Sequence, residues 1–346
     1  MTLRSPPASE DQVELFSAMF NDITARDARD AMEMPFLSLS KQPRFRPIHY
    51  ASHGLEVTVS GGPPYGIATI WDWDLIMWLL AQVRQAIDRG EPVSRRIAFH
   101  RYAFLKDARR AQGGSQYQRL EDSIARLKNT TVVTTIRATK RRTVMFSWIE
   151  FADIERDENG HLARAIVVLP EWLFDAVSNC SLVLSLHRDY FLLTGGIERW
   201  LYRFVRKGAG RNRGGWRWRM RTLHERSGTT QDFKYFAREV RSIAAAGKLL
   251  DYKLQLVEER GETYLHARRI GSDIALKAEP ARASMPRYPS LRTTTYEHAK
   301  RIAPTFDIYT LERDWREATT RNGIELKNPD GAFLAWCKQV ASRRIA

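Results

Sequence analysis

Gln231, Lys234, Tyr235, Arg238, Arg241 and Ser242 recur at spacings that place them on one side of an α-helix. Each can donate a hydrogen bond to a phosphate or a base edge, and none is an acid. The opposite side carries Phe233, Phe236, Ala237, Val240, Ile243 and Ala244, a continuous apolar stripe that predicts a helix over 230–247. A buried stripe backing a polar and cationic face is what a reader of the DNA major groove needs; the alternative is a solvated surface helix. The approach to this helix is strongly basic. Between Arg188 and Arg221 ten Arg or Lys face two acids, Asp189 and Glu198. Arg199, Arg203, Arg206 and Lys207 recur at i, i+4, i+7 and i+8, and with Arg211, Arg213, Arg217 and Arg219 they suit phosphate positioning. Neutralising about eight phosphates would make log K fall with log salt at a slope near −7.

A second cationic group lies earlier. Gln118, Arg119 and Arg126 occupy the outer side of a predicted helix, although Glu121 and Asp122 share it and repel phosphate. Arg137, Lys140, Arg141 and Arg142 form a basic turn between two strand-like runs, 131–136 and 143–151, and fit a phosphate track or a minor-groove contact. The turn at Glu258, Glu259, Arg260 and Glu262 is acidic and receives no role.

The elements that must position these groups repeat a plan. The first unit reads as a helix over 72–87 with Asp72 as its N-cap, a short strand at 95–99, a helix near 102–111, a helix from Ser115, and a hairpin. The second reads as a strand over 163–169, a short helix at 171–178, a helix over 197–207, a strand at 216–219, a helix over 220–226, the 230–247 helix, and a hairpin over 250–270. This predicts an α+β chain of two tandem winged-helix domains, each a helix-turn-helix followed by a β-hairpin wing, with a helical C-terminal extension. The boundaries expected are a mostly loose segment over 1–47, domains over 48–157 and 158–270, a linker over 271–295, and helices within 296–346. Phe333, Leu334 and Trp336 read as docking surface in the last helix.

Bulk properties agree with an anionic partner. The 346 residues carry a formal charge of +15, with 43% hydrophobic residues. Such a field points first to nucleic acid, and the arginine excess favours bidentate phosphate and guanine contacts. No apolar run reaches the roughly 18 residues of a membrane-spanning helix, and two distant cysteines indicate neither disulfide nor zinc. A cytoplasmic protein without membrane contact is the expectation.

Catalytic signals are sparse. No G-x-x-x-x-G-K-[ST] loop is present and no Cys/His cluster has metal spacing, so no cofactor, no metal and no enzymatic activity are expected. Glu325-Leu326-Lys327 with Asp307 or Asp314 could be read as a metal-dependent nuclease pattern, a triplet that chance also supplies.

Several phrases, in order, carry a family resemblance. They are Met34-Pro35-Phe36-Leu37-Ser38-Leu39-Ser40-Lys41, Thr69-Ile70-Trp71-Asp72-Trp73-Asp74, Gly113-Gly114-Ser115-Gln116-Tyr117-Gln118-Arg119-Leu120, Leu169-Pro170-Glu171-Trp172-Leu173 and Glu198-Arg199-Trp200-Leu201-Tyr202-Arg203. Over roughly residues 34–340 the chain resembles the plasmid replication initiator protein A family. That resemblance implies a tandem winged-helix initiator that binds repeated double-stranded sites in a plasmid origin, promotes duplex opening and recruits host helicase or initiator proteins. It also implies a homodimeric form that represses its own gene. A winged-helix transcriptional regulator is the alternative.

Overall fold

The computed structural model describes residues 15–270 apart from 53, 139–141, 180–181, 211 and 213. In the C-terminal part it describes 291–342 apart from 292, 304–310, 313–314, 316–317 and 320–327. Two units result, Met1–Ile274 and Ala275–Ala346.

The first unit begins with β1 (Leu15–Ser17), β2 (Arg26–Ala28) and the short α1 (Arg29–Glu33). From Leu15 onward the segment expected to be loose is built into the core. Ala28, Ala31 and Met32 are buried, and β2 carries the buried carboxylate Asp27. Low apolar content hid this, because short alanine-rich contacts bury a backbone without a visible stripe. Then follow β3 (Ile48–Ser52), β4 (Leu55–Gly61) and α2 (Trp73–Asp88). α2 is buried on nearly every side, from Trp73 through Trp78 and Leu80 to Ala86, so it forms the axis of the unit rather than its surface. Asp72 stands at the expected N-cap position, but its side chain makes no capping bond to the helix. Its carboxylate instead accepts from the Thr69 backbone at 2.7 Å, from Ser123 at 2.6 Å and from Arg126 at 2.8 Å.

Next come β5 (Arg96–His100), α3 (Arg101–Asp107), α4 (Gly114–Asn129), β6 (Thr130–Thr134), β7 (Val144–Ser147), β8 (Phe151–Arg156) and β9 (Leu162–Val168). β6 and β7 pair as the expected hairpin, but they complete a sheet of order β3-β4-β6-β7. The strand β5 pairs instead with β9, in a sheet of order β1-β5-β9-β8. The hairpin that follows the α3–α4 pair into the same sheet is therefore β8–β9, turning at Asp157–Gly160. The strand at 162–168, expected to open the second domain, closes the first plan. Alternation announces a strand but leaves its partner open.

The chain continues through α5 (Glu171–Ser178), β10 (Val183–Ser185), α6 (Gly196–Ala209), β11 (Trp216–Arg219), α7 (Met220–Ser227), α8 (Phe233–Ala245), β12 (Lys248–Leu249), β13 (Tyr252–Glu259) and β14 (Glu262–Arg269). Their sheet has the order β11-β14-β13-β12. Helix, strand, helix, helix and hairpin thus occur twice, as α2-β5-α3-α4-β8-β9 and as α6-β11-α7-α8-β13-β14. In both, the first strand pairs with the last. One continuous core runs through both plans, and β2 and β10, which belong to neither, pair as a separate two-stranded sheet.

The second unit contains α9 (Thr293–Ile302), which starts inside the stretch expected to be linker, and α10 (Pro329–Ser342). Leu291, Ala299, Leu311, Trp315, Phe333 and Cys337 form a separate small core. Phe333, expected on a docking surface, is fully buried in it against Trp315 at 5.3 Å between ring centroids. Among the described residues no helix is long and apolar enough to cross a membrane.

Candidate nucleic-acid interface

α8 is set in place by the turn before it. α7 ends at Gly228 in the left-handed region, φ 60°, where a Cβ would lie 2.6 Å from the Cβ of Pro35; only glycine turns the chain there. The Gly228 carbonyl accepts from Arg44 Nη1 at 2.5 Å. Ser227 and Thr229 hydroxyls each accept from a backbone N–H two residues on, and His224 Nε2 meets the Gln231 carbonyl at 2.8 Å. These local bonds fix the angle between α7 and α8 without a long loop.

Phe236, Ala237, Val240 and Ala244 of α8 are buried, with the Phe236 ring edge-on to His224 and Trp200. The anticipated outer residues, Gln231, Lys234, Tyr235, Arg238, Arg241 and Ser242, are all exposed. At 100° per residue, Lys234, Arg238 and Arg241 cluster within about 60° of the helix circumference. Tyr235 stands beside them, with the Arg238 guanidinium 5.3 Å from its ring centroid. Gln231, just before the helix, is drawn toward Glu239 at 3.5 Å, so its amide is partly engaged. The face as built offers three cations and a phenol on a rigid element.

The arginine ridge of α6 is a different matter. Arg199 and Arg203 are buried, not exposed to phosphate. Arg199 donates to Asp74 at 2.7 Å and to the Leu193 and Phe191 carbonyls. Arg203 donates to Asp27 at 2.6 Å and to the Ala31 carbonyl, while Trp73 Nε1 donates to the same carboxylate at 2.9 Å. Burial alone would depress both guanidinium pKa values, and the facing carboxylates override it and raise them. An arginine buried with a carboxylate is structural, and removing either partner strands a charge. Arg206 is fixed by the Ser185 carbonyl at 3.0 Å.

On β11, Arg217 pairs with Glu259 at 3.1 Å and Arg219 donates to Tyr264 at 3.2 Å; both remain exposed on the sheet face above the hairpin. Arg211 and Arg213 lie outside the described residues.

In the first plan the candidates divide similarly. Arg119 and Arg142 are exposed. Gln118 is exposed but bonded to Asp122 at 3.0 Å. Arg126 is committed to Asp72 through two bonds of 2.8 Å, and that hydrogen bonding raises its pKa. Arg137 is withdrawn from the turn: it pairs with Asp30 at 2.7 Å, donates to the Trp172 carbonyl and stacks 3.8 Å over the Trp172 ring. Lys140 and Arg141 lie outside the described residues, as do Asp307, Asp314 and Glu325. No group of three or more His, Cys, Asp or Glu could hold a metal among the described residues.

A further concentration of cations escaped sequence reasoning. Arg26, Arg29, Arg206, Lys207 and Arg269 line one cavity of about 690 Å³ with Trp216. They come from segments nearly the length of the unit apart, so no local spacing announces them.

Comparison with known proteins agrees on one theme. A relative in Wigglesworthia glossinidia brevipalpis, described as "Putative replication protein", is 27% identical over 231 residues, covering 65% of this chain and 82% of the relative. A crystal structure of domains 2 and 3 of RctB superimposes with a TM-score of 0.53 at 12% identity, covering 69% of this chain and 98% of that one. At that identity the likeness speaks for the fold. The family model for replication initiator protein A matches residues 26–254, which take in both repeats of the helix–strand–helix–helix–hairpin plan up to the first strand of the last hairpin. The chain belongs to the replication initiator protein A family.

Proposed function

We propose that the protein initiates plasmid replication by binding repeated double-stranded DNA sites in an origin, through two winged-helix modules joined in one rigid unit. α8 is the principal reading helix, entering the major groove with Lys234, Tyr235, Arg238 and Arg241. Arg217 and Arg219 lie along the backbone. Arg119 and Arg142 supply a second, weaker contact from the first module. Bound in this way, the protein promotes duplex opening and recruits host helicase or initiator proteins in the cytoplasm, and a homodimeric form accompanies it. It performs no chemistry of its own and needs no cofactor.

The observation that carries this reading is the exposed cationic face of α8, set by a glycine turn after α7 and followed by a hairpin that pairs with β11. A helix-turn-helix held in this way presents side chains at fixed spacing to base edges, where each bidentate contact discriminates by about 1–3 kcal/mol. Membership of an initiator family favours replication over transcriptional control alone.

The test is a small plasmid carrying the DNA that flanks the gene. It should replicate only when the protein is supplied, and a footprint should reveal regularly spaced protections. Protection and repression without replication would leave a transcriptional regulator. Nicking of supercoiled plasmid with magnesium, abolished by Glu325→Ala, would establish a nuclease instead.

A further inference from the structure

The segment 38–47 lies between α1 and β3 and takes no part in either helix–strand–helix–helix–hairpin plan. It is nevertheless fixed at both ends. Ser38 bridges to Thr69 through bonds of 2.9 Å with the Ala68 carbonyl and the Ile70 N–H. The Arg44 carbonyl accepts from the Ile67 N–H at 2.8 Å, and the Arg44 guanidinium donates to the carbonyls of Arg46, Pro47 and Gly228. Between these anchors the chain lies directly on the start of α6, where a Cβ on Gly196 would collide with the Leu39 carbonyl.

Its position links the two plans. On one side it borders α4, where Lys41 and Pro43 line a groove with Gln116, Arg119 and Asp122. On the other it borders the turn before α8, where Arg44 and Arg46 line a second groove with Thr229, Thr230, Gln231 and Glu239. The segment thus runs between α4 and α8, and a duplex lying over both helices must cross it.

Its charges are available. In the first groove Arg110 and Arg199 are committed to Asp74 and Arg126 to Asp72. Lys41 is exposed there, 5.4 Å over the Trp71 ring, and meets no carboxylate among the described residues. In the second groove Arg44 bonds only to carbonyl oxygens, so its charge has no counter-ion among the described residues. The exposed side chain of Arg46 has neither a hydrogen bond nor an ion pair among them. Burial, and then the charge of Arg46, holds the Arg44 pKa below the usual arginine value. Glu239, the one acid among the described lining residues, meets the Gln231 amide at 3.5 Å. Two neighbouring guanidiniums with no carboxylate paired to either raise the local positive potential, which favours a phosphate there.

We propose that the segment 38–47 is a further DNA contact, in which Lys41 and Arg46 take phosphates of the duplex between the stretches met by α4 and α8. The proposal rests on the reading of those helices as duplex contacts, and it adds a backbone contact that neither helix-turn-helix supplies. Contacts of this kind set register and orientation and carry no sequence preference of their own.

The experiment uses the full chain and the duplex that flanks the gene. It follows anisotropy at several salt concentrations, with hydroxyl-radical cleavage of the bound DNA. Arg46→Ala and Lys41→Ala should each weaken flanking and random duplex alike, several-fold at low salt, and flatten the salt slope by about one. In the double variant the interval between two outer protections should open to cleavage while the outer protections persist. Arg46→Lys keeps the charge and should restore the slope. A slope that stays flat in Arg46→Lys would trace the loss to the path of the chain and overturn the phosphate assignment. Slope and protection unchanged in the double variant, with Arg238→Ala still losing sequence preference, would overturn the segment alone and leave the reading of α8 intact. Specific binding unchanged in Arg238→Ala would overturn the reading of α8, and the segment's place between two contacts with it.

Discussion

Arg199 Nη1 donates to Asp74 Oδ1 at 2.7 Å across 125 residues of sequence, and both side chains are inaccessible to solvent. Asp74 is on α2, the axis of the first plan, and Arg199 is on α6, its counterpart in the second. Arg203 and Asp27 repeat the arrangement across 176 residues. The two halves are therefore clamped by charge as well as by apolar packing. Replacing Arg203 by Met leaves Asp27 buried with only the Trp73 N–H, which should cost about 3–5 kcal/mol of unfolding free energy by urea titration. In the variant that remains folded at low temperature, the salt dependence of DNA binding should be that of wild type. A reduced slope would return Arg203 to the phosphate contacts.

With Arg199 and Arg203 withdrawn from the phosphates, log K should fall with log salt less steeply than the slope near −7 that about eight contacts would give. On α8, Arg238 and Arg241 should behave differently from each other. Arg238→Ala is expected to weaken origin binding by about 1–3 kcal/mol and to relax preference at one base position, with little change on random duplex. Arg241→Ala, nearer the edge of the face, should weaken both alike and flatten the slope by about one. Fluorescence anisotropy on specific and random duplexes at several salt concentrations measures both. An equal loss on the two duplexes for Arg238→Ala would make it a phosphate contact.

The acidic hairpin tip predicts a gain of affinity. Arg217 is held by Glu259 in an exposed pair, and such a pair contributes about 0–1 kcal/mol to stability. Glu259→Gln should leave the melting temperature nearly unchanged. It frees the guanidinium and removes one charge that repels phosphate, so DNA binding should tighten several-fold at low salt with a steeper salt dependence. Unchanged affinity would place Arg217 away from the duplex.

The helix α8 was legible because its apolar period and its cationic face reinforce each other within thirteen residues. The role of Arg199 and Arg203 was not. Arginines at i and i+4 look the same whether they face water or a buried acid, and the acids lie 125 and 176 residues away. Asp27 itself sat in a stretch whose composition suggested disorder, although it accepts three hydrogen bonds there. The first hairpin shows the other limit. The basic turn at 137–142 looked like a wing, yet β5 pairs with β9, and Arg137 spends its donors on Asp30 and Trp172. Period fixes which side of a strand is buried, while pairing depends on segments that meet only in the folded chain.

Lys207 gives a prediction in pH. Its pKa is lowered from the usual 10.5 to about 8, so the unfolded chain holds this proton more tightly than the folded one. A lysine depressed in this way destabilises the folded state in full below about pH 8, and the penalty fades as pH rises toward 10.5. Lys207→Met removes the titrating group, while Glu33 keeps Arg226 as a partner. Lys207→Met should therefore melt above wild type at pH 7, and the difference should shrink on raising the pH through 8 to 10. A constant difference across that range would mean that the ammonium is not strained by burial and by Arg29.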